Sequence, residues 1–350
     1  ITAFGGVKDT RHRGFIPTAE TASFIMSGAK LADRLICQQF LQPEATLFKG
    51  KWLSLEGQGV NEPIWTSSIV PSTELIAFTT TGYMGDPEFG MSFPAEKIET
   101  DRTWDELVLS GETMNEVQEV LDWILHEQTV LKDWGLGQKL MPGYRALFYG
   151  PPGTGKTFTT TLMGNAAGRE VYRIDLSMVV SKYIGETEKN LKNVFDKAQS
   201  RGWILFFDEA DALFGKRTSI SDSKDRFANQ EVSYLLQRVE RYPGLVILAS
   251  NFKSNIDDAF LRRFQAIVHF PMPGPIERLA LWKAALPESL VLAADVSLEE
   301  LARNYELSGA DIMQAIQFAS VQALANREGV LTLEDIVRGV RREFQKAGRI

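Results

Sequence analysis

Apolar positions along the chain change their rhythm near residue 101. From Thr18 to Phe40, the residues Phe24, Ile25, Leu31, Leu35, Ile36 and Phe40 fall roughly on one side of a 3.6-residue period, which predicts one amphipathic helix. Thr46–Leu55 and Glu74–Thr80 read as short strands, and the turn-rich stretch Thr81–Pro94 follows them. Residues 1–100 carry no chemical motif, so a small mixed α/β adaptor or oligomer-contact domain is expected there. Beyond 101, Asn115–Leu131 is helical, with Val117, Val120, Leu121, Ile124 and Val130 as its apolar positions. Short apolar runs then alternate with helical stretches: Ala146–Tyr149, Val171–Ile174, Trp203–Phe207, Leu245–Ala249 and Ala266–Phe270. That alternation predicts an α/β domain over 101–272, a buried parallel sheet with helices on both faces. Past Pro275 only helical periodicity remains, in Ile276–Ala285, Leu298–Tyr305, Gly309–Arg327 and Leu333–Lys346. Ser308 and Thr332 sit where N-caps belong, so 273–350 is expected to be a small helical domain.

Composition narrows the function classes. With 45 acidic and 38 basic side chains the net charge is −7, which argues against a surface built to neutralise many phosphates. Apolar residues are 44% and charged residues 24%, proportions that suit a packed core and not a disordered tail. The single cysteine, Cys37, cannot close an internal disulfide, and three histidines leave little for a Cys/His zinc cluster. Apolar stretches such as Trp203–Phe207 are too short to span a bilayer, and Ile1–Thr10 has no basic segment followed by an apolar run. A cytoplasmic protein without a membrane partner is the expectation.

Chemistry concentrates in four places. Gly150-Pro151-Pro152-Gly153-Thr154-Gly155-Lys156-Thr157 follows a strand and opens a helix, the context that the GxxxxGK[ST] phosphate loop requires. Its backbone N–H groups and helix N-terminus suit phosphate, Lys156 reaches the β- and γ-phosphates, and the Thr157 hydroxyl suits Mg2+. Ile204-Leu-Phe-Phe-Asp208-Glu209 is a strand ending in two carboxylates, at the end where open α/β sheets bind ligands. Asp208 would hold Mg2+ through water and Glu209 would polarise the attacking water. Alternation along a strand would send the two to opposite sides. Leu248-Ala-Ser-Asn251 ends another strand in an amide able to orient a water or touch a γ-phosphate. Arg262 and Arg263, just before the last strand, are either a surface ion-pair group or fingers aimed at a phosphate.

These four elements together resemble the AAA branch of the AAA+ ATPases over about 101–350. The resemblance implies ATP hydrolysis with Mg2+, a sheet of order 5-1-4-3-2, a helical lid, and a homo-oligomeric ring, usually of six subunits. Trp104-Asp-Glu-Leu107-Val108 is similar to the segment lining the adenine pocket, and Ser308-Gly309-Ala310-Asp311 to the lid helix start near the ribose. By the same resemblance Arg262 and Arg263 reach the neighbouring subunit's ATP. Lys182-Tyr183-Ile184 matches the pore loop that grips an extended polypeptide, and Phe214–Asn229 resembles the second pore loop or is an ordinary surface loop. The N-terminal part and the run from Asp225 resemble bacterial stand-alone AAA proteins, some of which accompany contractile injection systems. The resulting expectation is a protein remodeller with a protein client. A nucleic-acid motor on the same fold is disfavoured by the net charge and the aromatic pore loop. A non-hydrolysing switch has no need of Glu209, Asn251 and both arginines.

Overall fold

Strands that are apolar at every position need cover on both faces. In the computed structural model the five predicted runs and one further strand form a single six-stranded sheet. The structure describes residues 5–8, 14–42, 44–50, 52–57, 63–82, 85–87, 89–90, 93–176, 186–210, 233–252, 258–287, 290–326 and 329–349. The sheet strands are β1 (Ala95–Ile98), β2 (Tyr144–Tyr149), β3 (Val171–Ile174), β4 (Ile204–Phe207), β5 (Leu245–Ser250) and β6 (Ala266–His269). Their order is β6-β2-β5-β4-β3-β1. β2 to β6 run parallel, and numbered among themselves they follow the expected 5-1-4-3-2. β1 pairs antiparallel with β3, so a segment assigned to the N-terminal region from its sequence is an edge strand of this sheet.

Side-chain alternation divides each strand between two cores. Leu205 and Phe207 of β4 pack with Leu191, Val194 and Phe195 of helix α3 (Glu186–Arg201). Ile204 and Phe206 point the other way, into a core shared with Val117, Val120 and Ile124 of α1 (Gly111–Gln128) and Met163 of α2 (Lys156–Ala167). All four β4 side chains are fully buried. Truncating one such Phe to Ala would cost about 3–5 kcal/mol.

The last helices are α4 (Pro275–Ala285), α5 (Leu298–Asn304), α6 (Gly309–Asn326) and α7 (Leu333–Lys346), close to the predicted spans. They enclose a separate core around Trp282, Ile312, Ile316, Leu331 and Ile336. Thr332 caps α7 in a reciprocal box with Asp335. Helical periodicity missed one feature: Val291–Leu292 and Val330–Leu331 pair as a short parallel ladder between the helices. The buried Arg278 joins this bundle to the strand side. Its Nε donates to Ala302 O at 2.7 Å and its Nη1 to Pro273 O at 2.6 Å.

The chain divides into two compact units, Ile1–Glu88 and Phe89–Ile350. Within the first, the structure corrects three expectations. The single helix over Thr18–Phe40 is two helices, Ala19–Ser27 and Leu31–Gln39. Gly28, at φ 65°, caps the first and breaks the run, so the apolar period continues across a turn. Glu74–Thr80 is not a strand but lies in a helix, Thr73–Thr81. Its β-branched threonines suggest a strand, but Ser72 caps the helix and the hydroxyls of Thr79, Thr80 and Thr81 bond carbonyls one turn back, which helical backbone permits. Thr46–Leu55 splits into a helical turn, Thr46–Lys49, and a strand, Leu53–Glu56, paired antiparallel with Ser68–Pro71.

Candidate nucleotide site

A cleft of about 630 Å³ opens at the C-terminal ends of the parallel strands, between the sheet and the helical bundle. The loop from Pro152 to Thr157 forms its floor, Asp208, Glu209 and Asn251 one wall, and Gly309 and Ala310 the roof. Leu107 and Val108 close the apolar end together with Leu281 and Met313. The sequence-nominated residues from five separate chain segments therefore meet in one place.

The loop is shaped by its own bonds. Thr154 Oγ1 donates to Pro151 O at 2.9 Å, and the buried Lys156 Nζ donates to Gly150 O at 2.7 Å and Pro151 O at 2.9 Å. The ammonium is thus bent over the loop at the start of α2, where phosphate oxygens would be stronger acceptors of the same donors. Gly153 is a point of close approach between the loop and the helical bundle. It sits at φ 76°, a Cβ there would lie 2.5 Å from Ser308 Oγ and 2.8 Å from Ala310 Cβ, and its carbonyl accepts from Ala310 N at 3.3 Å. Only glycine admits both the backbone and the contact. Ser308 anchors the roof: Asp311 N donates to Ser308 Oγ at 3.2 Å, and Ser308 N and Oγ donate to Asp311 Oδ2 at 3.0 and 2.8 Å. This capping box fixes the start of α6 above the loop.

The carboxylate pair differs from the sequence expectation. β4 ends at Phe207, so Asp208 and Glu209 do not alternate on a strand. Glu209 adopts φ 52°, the one left-handed non-glycine residue among those described, and its N–H donates to Asp208 Oδ1 at 3.0 Å. Ala210 N donates to Ala249 O at 2.8 Å and ties the turn to β5. The left-handed turn aims an exposed carboxylate into the cleft, and such a conformation costs a non-glycine residue about 1–2 kcal/mol. Beside it Ser250 Oγ accepts from Phe252 N at 3.2 Å and donates to Phe252 O at 3.1 Å, which holds the backbone around Asn251.

The donor set fits a nucleoside triphosphate with Mg2+. The Thr157 hydroxyl and the Asp208 carboxylate are hard oxygen ligands, few in number, as suits an ion that shares its shell with phosphates and water. Phe158 and Arg102 are among the cleft residues that escaped the sequence reading. Phe158 follows the loop and Arg102 precedes the Trp104 segment, and the Arg102 guanidinium lies 5.6 Å from the Phe158 ring centre. Only the adjacency of Phe158 to the phosphate motif signalled it.

Arg262 and Arg263 are exposed and do not line this cleft. Arg263 Nη1 pairs with Glu240 Oε1. Lys182, Tyr183 and Ile184, and the stretch Phe214–Asn229, lie outside the described residues.

Residues 146–272 match the family described as "ATPase family associated with various cellular activities (AAA)", so this part of the chain is an AAA ATPase domain on an α/β fold. The chain is 31% identical over 254 residues to the proteasome-activating nucleotidase of Methanopyrus kandleri, which covers 70% of this chain and 57% of that protein. It is 31% identical over 250 residues to the cell division cycle protein 48 homolog of Archaeoglobus fulgidus, covering 69% and 32%. To protein CdcH of Halobacterium salinarum it is 33% identical over 232 residues, covering 65% and 31%. The chain thus spans between about three tenths and three fifths of the length of these relatives. Among the described residues no helix is long and apolar enough to cross a membrane.

Proposed function

We propose that this chain hydrolyses ATP as one subunit of a homo-oligomeric six-subunit ring that remodels or unfolds protein clients by drawing them through its pore. The observation that carries the proposal is the convergence of Lys156, Asp208, Glu209 and Asn251 on one cleft whose own chain supplies no arginine from the 262–263 turn. Mg2+, when bound, would offset the negative charge of the β- and γ-phosphates. Lys156 binds those phosphates, Thr157 and Asp208 hold the ion, Asn251 orients the water, and Glu209 accepts its proton. Leu107, Gly309 and Ala310 receive the adenine and ribose. The 262–263 turn of one copy supplies an arginine that completes the site of the next, and Tyr183, flanked by Lys182 and Ile184, grips the client. The name of one relative, a proteasome-activating nucleotidase, supports a client that is a protein. Service to a contractile injection system is the narrower form of this reading, supported by the sequence resemblance of the N-terminal part.

The test pairs two measurements on Tyr183→Ala. ATP turnover should stay within about threefold of wild type while unfolding of a tagged model client is lost. Loss of turnover together with a large fall in melting temperature would make Tyr183 a packing residue and remove the pore reading.

A further inference from the structure

Resting on that reading, we propose that Glu240 is a positioning residue: it holds Arg263 within its own chain as a strut, so that Arg262 alone is presented to the neighbouring copy's γ-phosphate.

Three observations carry this. First, the two arginines are adjacent but differently engaged. Arg263 pairs with Glu240 through Nη1 and Oε1, and its guanidinium lies 6.0 Å from the ring centre of the buried Phe260. Arg262 is exposed and has no such partner among the described residues. Second, the turn itself is fixed. Arg263 N donates to Phe260 O at 3.0 Å, and Phe264 packs edge-on against Phe260 with ring centres 5.2 Å apart. Third, both ends of the ion pair are pinned to one buried group. Arg145, 3% exposed, donates from Nη1 to Glu240 O at 2.9 Å and from Nε to Gln265 Oε1 at 3.2 Å. Gln265 N donates back to Arg145 O at 2.9 Å. Burial lowers the Arg145 guanidinium from its usual range, and Glu240 partly offsets this. The backbone carrying Glu240 and the backbone two residues beyond Arg263 are therefore held at a set separation.

A side chain already neutralised in its own chain is a poor candidate for a phosphate in another. A positive group one residue away from that clamp, with its position set but its charge unspent, is a good one. The residual exposure of the pair keeps its strength modest, so its value lies in orientation.

The experiment is a charge swap measured by kcat on the assembled wild-type chain and its variants, with assembly checked by light scattering. Arg262→Ala should lose about 10³-fold or more, the size of a phosphate-directed arginine. Glu240→Gln should lose only about 2- to 5-fold with an unchanged KM for ATP, and no more when combined with Arg263→Ala. Glu240→Arg and Arg263→Glu, each placing like charges together, should lose more than Glu240→Gln, and the two combined should recover to within about threefold of wild type. Recovery requires that Arg263 act through the pair, because a glutamate cannot stabilise a phosphate. A double swap as inactive as Arg262→Ala overturns the inference and leaves the ATPase reading standing. An assembled wild-type chain without ATP turnover overturns both.

Discussion

Glu209 is the residue at which sequence and backbone geometry part most clearly. Its role was suggested by position after an apolar strand, but its aim comes from φ 52° and the bond to Asp208 Oδ1. Glu209→Gln should keep ATP affinity and lose hydrolysis, since the amide keeps the shape and cannot accept the proton; affinity by calorimetry and phosphate release on the same sample check this. Glu209→Gly should also lose hydrolysis yet gain up to about 1 kcal/mol of stability from released strain. A lower melting temperature for the glycine variant would mean that the turn is not strained. Lys156→Ala removes the only cation of the loop, and nucleotide affinity should fall by at least about 100-fold, the cost of leaving a multiply charged phosphate without its charge-assisted donor.

At the scale of elements, the start of α6 links stability to binding. The Ser308–Asp311 box places Gly309 and Ala310 over the loop at Gly153. Ser308→Ala should cost about 1 kcal/mol as a lost N-cap and weaken ATP binding as well. Thr332→Ala, the equivalent loss at α7 away from the cleft, should cost the same stability with affinity unchanged. Paired melting and binding curves separate the two effects. The same scale exposes the limits of periodicity. Leu31, Leu35, Ile36 and Phe40 keep a helical spacing with the earlier apolar residues, yet they remain exposed on the second of two helices. Apolar spacing records which residues share a side and carries no signal for a glycine that ends the helix between them.

At the scale of the molecule, the two units make separate claims. The large sheet takes its edge strand β1 from residues just after Glu88, so the unit from Phe89 onward contains every strand and cleft wall described for the nucleotide site. A chain of residues 89–350 should unfold cooperatively and bind ATP within about threefold of the full chain. Failure to fold would assign the first unit a part in the stability of the second. Assembly is the other property of this scale. Arg262 lies outside its own chain's cleft, so mixing Arg262→Ala with Lys156→Ala should restore part of the turnover that each lacks alone. No recovery at any ratio, with subunit exchange verified by labelled chains, would confine the arginine to its own subunit.

The amino-acid sequence by itself determined the strand–loop–helix phosphate motif, the parallel sheet and the helical character of the last domain. Each rests on local properties: glycine and lysine spacing, apolar runs with turn boundaries, and caps within one turn of the residues they serve. It also nominated Asp208, Glu209 and Asn251, because functional groups at strand ends follow a fixed rule of open α/β sheets. Only the tertiary structure decided what those residues face. The tie of the Glu209 turn to β5 through Ala210 N and Ala249 O, the closure of Gly153 against Ser308, and the clamp of Arg145 on Glu240 and Gln265 all join segments far apart in the chain. Hydrogen bonds between such segments depend on register and packing, and one-dimensional spacing holds no trace of either.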